Sequence, residues 1–136
     1  MGKYLEYYLD DVMDNLGRMA EFSCDNCLDI CDFWQQFVDS KVAKGIEDGH
    51  PRYLSGYSSI ELFEIITNKI ITNHDTSYIK VYWAASSIGY LQWKTGISFR
   101  EIEQKLPIKG VIEMFYPLHE TDIYKFLDKA LRILNK

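Results

Sequence analysis

Cys24, Cys27 and Cys31 stand at i, i+3 and i+7, and three thiolates brought to one point would begin a zinc or iron–sulfur site. Such sites usually draw four ligands from loops, and His50 is the nearest candidate for a fourth. The same spacing also describes one side of a helix, continued by the apolar Trp34 and Val38. We therefore expect the cysteines to pack as small hydrophobes, with no metal and no other cofactor. Unpaired thiols suit a reducing compartment.

Asp25, Asp29 and Asp32 form a second row at i, i+4 and i+7, and they fall near Asp10, Asp11 and Asp14 if two successive helices pack antiparallel. Carboxylates in this number suit a hard divalent cation, but no D-x-D-x-D-G loop accompanies them. Two other roles remain: a solvated face, or an acidic surface for a basic partner. The second makes Asp10, Asp11, Asp14, Asp25, Asp29 and Asp32 a candidate partner interface.

His50, His74 and His119 are scattered, with no H-x-x-x-H spacing and no adjacent nucleophile, so no general base with a positioned partner can be named. Phosphate loops, nucleophile elbows and HExxH motifs do not occur in the sequence. Residues 95–116 have the outline of a helix-turn-helix: one segment over 99–106, a turn at Pro107, and a second over 108–115. A recognition helix needs several basic or amide side chains, and this one offers Lys109 and Glu113 around Gly110. No catalytic residue is expected. A DNA-binding regulator and a small metal-binding enzyme stand as alternatives to a protein-binding role.

Helices would carry all of these residues. Leu5, Tyr8, Leu9, Val12, Leu16, Met19 and Ala20 recur at helical spacing, with Asp10, Asp11, Asp14, Asn15 and Arg18 off the stripe. A second helix would turn Cys24, Cys27, Leu28, Cys31, Trp34, Phe37 or Val38, and Val42 inward; a break near residues 23–26, with Ser23 or Asp25 as cap, and a continuous helix both fit the pattern. Residues 45–56, holding three glycines and Pro51, read as a loop. Ser58 with Glu61 forms a capping box that opens a helix through Leu62, Phe63, Ile65, Ile66 and Ile70 to about Asn73. Thr76 or Ser77 would cap the next helix, over residues 78–94, which is apolar nearly all round and so belongs at the centre. Its Ala84, Ala85, Ser86, Ser87 and Gly89 would let neighbours approach closely. Gly96 fits a left-handed stop, Ser98 with Glu101 a second capping box, and Pro107 and Pro117 the ends of two short helices. The last helix starts at Thr121 or Asp122 and carries Ile123, Phe126, Leu127, Ala130, Leu131 and Leu134.

At 136 residues, with 47% hydrophobic and 15% aromatic content, the chain can fill one core but hardly two. No secretory signal opens it. The most apolar run, residues 79–93, contains Lys80, Ser86, Ser87 and Gln92 and falls short of the ~20 residues that cross a bilayer. A cytoplasmic protein with no membrane partner is the expectation. Net charge is -5, unevenly placed: residues 1–50 hold 11 acids and 4 bases, whereas residues 51–136 hold 9 acids and 11 bases. A general nucleic-acid binder needs a basic footprint, which this balance denies. The sequence thus predicts one all-α domain over residues 1–136, a compact bundle of about six or seven helices around a buried central helix.

Three segments, taken in order, carry a resemblance. DFWQQFVDSKVAKGIEDGHPRYLSGYSSIELFEII (residues 32–66) is similar to the F…F..SGIA…..G.P.Y..G.SGIEL pattern of a family of small uncharacterised all-helical bacterial proteins. YWAASSIGYLQWKTGISFREI (residues 82–102) resembles that family's YWCGWILAYYQWYTGRSFKEI, and MFYPLHETDIYKFLD (residues 114–128) its YPTLHEA…KFVD. The chain departs from the pattern at Tyr57, where the family commonly has Lys, at Ser59, where it has Gly, and at Ala85 and Ser86, which replace a Gly-Trp. Such proteins are often encoded beside ADP-ribosyltransferase-like toxins. The resemblance therefore implies an antitoxin-like or immunity-like protein that binds and sequesters a partner, such as a cognate toxin, rather than an enzyme.

Overall fold

The computed structural model describes residues 3–72 and 75–136. After a 3-10 turn at Glu6–Tyr8 come α1 (Leu9–Asp25), α2 (Ile30–Val38) and α3 (Lys41–Glu47), then a π-helical turn at Arg52–Gly56. There follow α4 (Ser59–Thr67), α5 (Ile79–Thr95), α6 (Phe99–Lys105), α7 (Ile108–Glu113), α8 (Phe115–Leu118) and α9 (Ile123–Leu134). The fold is all-α, and no strand occurs among the described residues. Among them, too, no helix is long and apolar enough to cross a membrane.

Its frame is one helix pair. α1 buries Val12, Leu16, Met19 and Ala20, which recur every three or four residues and so share one side. α5 is buried continuously over residues 84–93, as expected of a central helix. The two run antiparallel, with Tyr78 at the start of α5 meeting Glu21 late in α1 and Trp93 at its end bonding back to Tyr4. Small residues set their separation. A methyl on Gly17 would lie 2.5 Å from the Tyr82 ring, and one on Gly89 would lie 2.8 Å from a Leu16 methyl carbon. Hydrogen in place of Cβ is thus what lets the ring of one helix lie on the backbone of the other.

The remaining helices wrap this pair with aromatic side chains. Phe33 of α2 stacks on Phe63 of α4 at 5.2 Å, while Phe37 meets Phe99 of α6 edge-on at 5.0 Å. Trp83 of α5 packs edge-on against Phe115 and Phe126, at 5.9 and 5.6 Å. Phe33, Trp34, Phe37, Phe63, Phe99 and Phe126 are all fully buried in one core that extends from Tyr4 to Leu134. Burying each such ring contributes roughly 2–3 kcal/mol, so the clustering accounts for much of the cohesion between short helices.

Several boundaries depart from the sequence reading, each for a local reason. The first helix begins at Leu9, and Leu5 is 71% exposed rather than part of the inward stripe. Residues 24–42 do not form one helix. The Asn26 side chain donates to the Phe22 carbonyl at 2.9 Å and Cys27 takes a left-handed φ of 62°, so α1 stops at Asp25 and Ser23 and Asp25 cap nothing. Ser40 then starts α3 by accepting the Ala43 N–H. The expected loop at 45–56 is mostly coiled. Gly45 lies inside α3 under the Tyr53 ring, and the turn between the two helical stretches is confined to residues 48–50, with Gly49 at φ 73°. α4 ends at Thr67 because Asn68 is left-handed, which leaves Ile70 exposed; the expected end at Asn73 lies outside the described residues. Neither Thr76 nor Ser77 caps α5. Pro117 sits within α8 instead of terminating α7, which ends at Glu113. The capping box of Ser58 and Glu61, the left-handed Gly96 and the cap at Asp122 occur as the sequence predicts, whereas the second capping box is half formed, with Ser98 accepting the Glu101 N–H.

Candidate functional site

The six aspartates do not form one patch. Asp10 and Asp11 lie in the first turn of α1, where the helix dipole favours a negative charge, and both are exposed. Asp25 ends the same helix, roughly 20 Å away at 1.5 Å per residue. Asp29 occupies the N-terminal boundary of α2 and Asp32 its first turn, both exposed. Asp14 and Asp25 are engaged within the fold. Asp14 accepts from the Tyr82 hydroxyl, and Asp25 accepts from the Thr76 N–H and the Tyr78 hydroxyl, each at 3.4 Å.

Glu21, between them on the same side of α1, explains the missing cap of α5. Its carboxylate accepts the Tyr78 N–H at 2.8 Å and the Ser77 hydroxyl at 3.0 Å. A helix N-terminus carries unpaired N–H groups and partial positive charge, and here a neighbouring helix satisfies both. Two other helices start in the same way. Glu47 of α3 accepts the Phe99 N–H of α6 at 2.8 Å, and Glu103 of α6 accepts the Ile108 N–H of α7 at 3.0 Å. Burial holds the Glu103 carboxyl above its usual range, opposed by that backbone hydrogen bond. Much of the acidity in the first half is therefore structural.

The carboxylates of Glu6, Asp10 and Asp11 make no ion pair among the described residues, and Glu6 belongs to a different feature. Leu5 and Tyr7 project into solvent, 71% and 81% exposed. Next to them lies a groove of about 510 Å³, lined by Tyr4, Leu5, Tyr8, Pro51, Leu54 and Trp93 together with Lys3, Glu6 and Gly49. The approach of the N-terminal segment fixes this groove. The Trp93 indole N–H donates to the Tyr4 carbonyl at 2.9 Å, and Lys3 reaches Asp48 at 3.9 Å. Apolar anchors beside a concave aromatic surface, with the Glu6 carboxylate in its lining, share the anatomy of a protein-binding patch.

The cysteines do not continue a buried stripe. Cys24 and Cys31 are partly buried and Cys27 is exposed, all three as free thiols. Burial raises the Cys24 pKa most, with the Asp29, Glu21 and Asp25 carboxylates adding to it against a Ser23 hydrogen bond. Burial also leads for Cys31, followed by Asp29. Both therefore hold their protons more tightly than a free thiol. Among the described residues, no group of three or more His, Cys, Asp and Glu side chains is placed to hold a metal ion.

His50 starts the turn after α3, its Nδ1 accepting the Arg52 N–H at 3.3 Å. His119 stacks flat on Phe115 at 3.8 Å and contacts that residue's carbonyl through Nδ1. His74 lies outside the described residues. In the helix-turn-helix candidate, α7 buries Ile108 and Val111 and presents Lys109 and Glu113, one charge of each sign. The exposed Leu5 was missed because its spacing matched the helical stripe that actually begins at Leu9, and Tyr7, off that stripe, carried no signal of its own.

Fold and surface together define an all-α protein built on a glycine-spaced α1–α5 pair, with an aromatic groove at the N-terminal segment. No protein-family model, curated protein or solved structure matches the chain.

Proposed function

We propose that the chain is an antitoxin-like or immunity-like binding protein that sequesters a partner protein in the bacterial cytoplasm. The observation that carries this reading is the exposed pair Leu5 and Tyr7 beside the aromatic groove, whose lining includes Glu6, with Asp10 and Asp11 exposed in the following helical turn. Large apolar side chains held in water cost free energy, which burial against a partner recovers. The carboxylates select a basic partner surface and speed its approach. The resemblance of residues 32–66, 82–102 and 114–128 to proteins encoded beside ADP-ribosyltransferase-like toxins supplies the class of partner. A basic, nucleotide-binding cleft on such an enzyme has the charge that these carboxylates would meet. Of the six aspartates, Asp10 and Asp11 would form the contact, while Asp14 and Asp25 hold α5 in place.

Co-expression with the product of the adjacent gene, followed by size-exclusion chromatography and mass determination, tests the proposal. A stable stoichiometric heterocomplex that dissociates on Leu5→Ser with Tyr7→Ser is the expected result. A chain that elutes alone beside a folded, soluble neighbour would refute it.

A further inference from the structure

A second face carries the opposite charge. Lys125, Lys129, Arg132 and Lys136 fall at i, i+4, i+7 and i+11, one exposed row along and just beyond α9. At 1.5 Å per residue the row is roughly 16 Å long. It borders a groove of about 730 Å³ whose apolar lining comes from Leu118 and Ile133, with Asp128 the one carboxylate among the lining residues. None of the four cations makes an ion pair among the described residues, whereas Lys44, Arg100 and Lys105 elsewhere each do.

The row works against its own helix. Like charges three and four residues apart repel, and Lys125 stands in the first turn, where the positive end of the helix disfavours a cation. Arg132 gains from the opposite end, but that gain gives no reason for the cations before it. Solubility needs charge, not charge of a single sign in a chain whose net charge is -5.

We propose that this row and its groove are a docking surface for an acidic helical segment of a partner protein. Carboxylates at matching three- and four-residue spacing would pair with the cations, and an apolar residue of the segment would sit on Leu118 and Ile133. That apolar lining favours a protein segment over a phosphate backbone, and the negative charge of the whole molecule repels a long polyanion. A membrane surface is disfavoured because the apolar side of α9, with Phe126, Leu127, Ala130 and Leu134, is already buried in the core.

The test uses the full chain and a labelled helical peptide bearing Glu at i, i+4, i+7 and i+11 with Leu beside them, followed by fluorescence anisotropy. Expected are binding at low salt that weakens as salt is added, and a loss of at least about tenfold on Lys129→Glu with Arg132→Glu. Leu5→Ser with Tyr7→Ser should leave this binding unchanged, which separates it from the N-terminal face. Circular dichroism confirms that each variant is folded. No peptide binding at low salt, equal binding by the charge-reversed variant, or tighter binding of a single-stranded oligonucleotide or anionic vesicles would overturn the proposal.

Discussion

Glu103 is kept half-buried so that one of its oxygens can accept the Ile108 N–H, and the position carries a pH signature. An unfolded chain releases this proton near the ordinary value of 4.5, whereas the folded protein holds it to higher pH. The folded state binds more protons in that window, so the residue's contribution to stability declines as pH rises through it. Glu103→Gln keeps an oxygen acceptor and removes the titration. Its stability relative to the parent should therefore rise from about pH 4 to about pH 7 in urea unfolding. A flat or falling difference would show that burial does not penalise the charge. The thiols make a second test at this scale. Mass spectrometry during alkylation at neutral pH should find exposed Cys27 modified first and Cys24 and Cys31 later, because burial holds the latter two protonated. Simultaneous modification of all three would contradict the placement of the helix break at Asn26.

At the scale of elements, the contact between α1 and α5 depends on what Gly17 lacks. Alanine there would raise helix propensity yet place its methyl 2.5 Å from the Tyr82 ring. Gly17→Ala should therefore destabilise by about 1–3 kcal/mol in denaturant unfolding, where propensity alone predicts a gain of up to ~1 kcal/mol. Glu21→Ala should cost about 1–2 kcal/mol by uncapping α5, and Glu21→Gln should recover part of that loss because its side-chain oxygen can still accept the Tyr78 N–H. Equal losses for Gln and Ala would assign the effect to charge alone. These elements also mark how far the sequence could be read. Caps supplied within four residues, at Ser58, Ser98 and Asp122, were legible because partner and helix share one local pattern. The acceptors at the starts of α5 and α7, and the reach of Glu47 to the Phe99 N–H, were not, since they arrive from another helix or across the turn at Pro107. The break at Asn26 was legible only as an open alternative near residues 23–26, for a related reason. Cysteine and tryptophan at i, i+3, i+7 and i+10 satisfy a helix template whether or not the backbone is continuous.

For the whole molecule, all-α character and the central place of α5 were legible because a nearly continuous apolar run between turn signals can only be buried. The candidate site was legible only in part. Composition showed that the first half is acidic, but which carboxylates are free depends on tertiary pairing: Asp14, Glu21, Asp25 and Glu47 are engaged, and Glu6, Asp10 and Asp11 remain outward beside Leu5 and Tyr7. Carboxylates at the N-terminal segment and a cationic row on α9 would make association with charged partners salt-dependent. The measurement that bears most directly on the central claim is calorimetric titration of the adjacent gene's product with the parent chain and with Leu5→Ser, Tyr7→Ser. Expected is a parent complex whose affinity falls at least about tenfold in the variant while the variant's unfolding midpoint stays close to the parent's, because both side chains are exposed in the free protein. Unchanged affinity in a folded variant would remove the N-terminal groove from the interface.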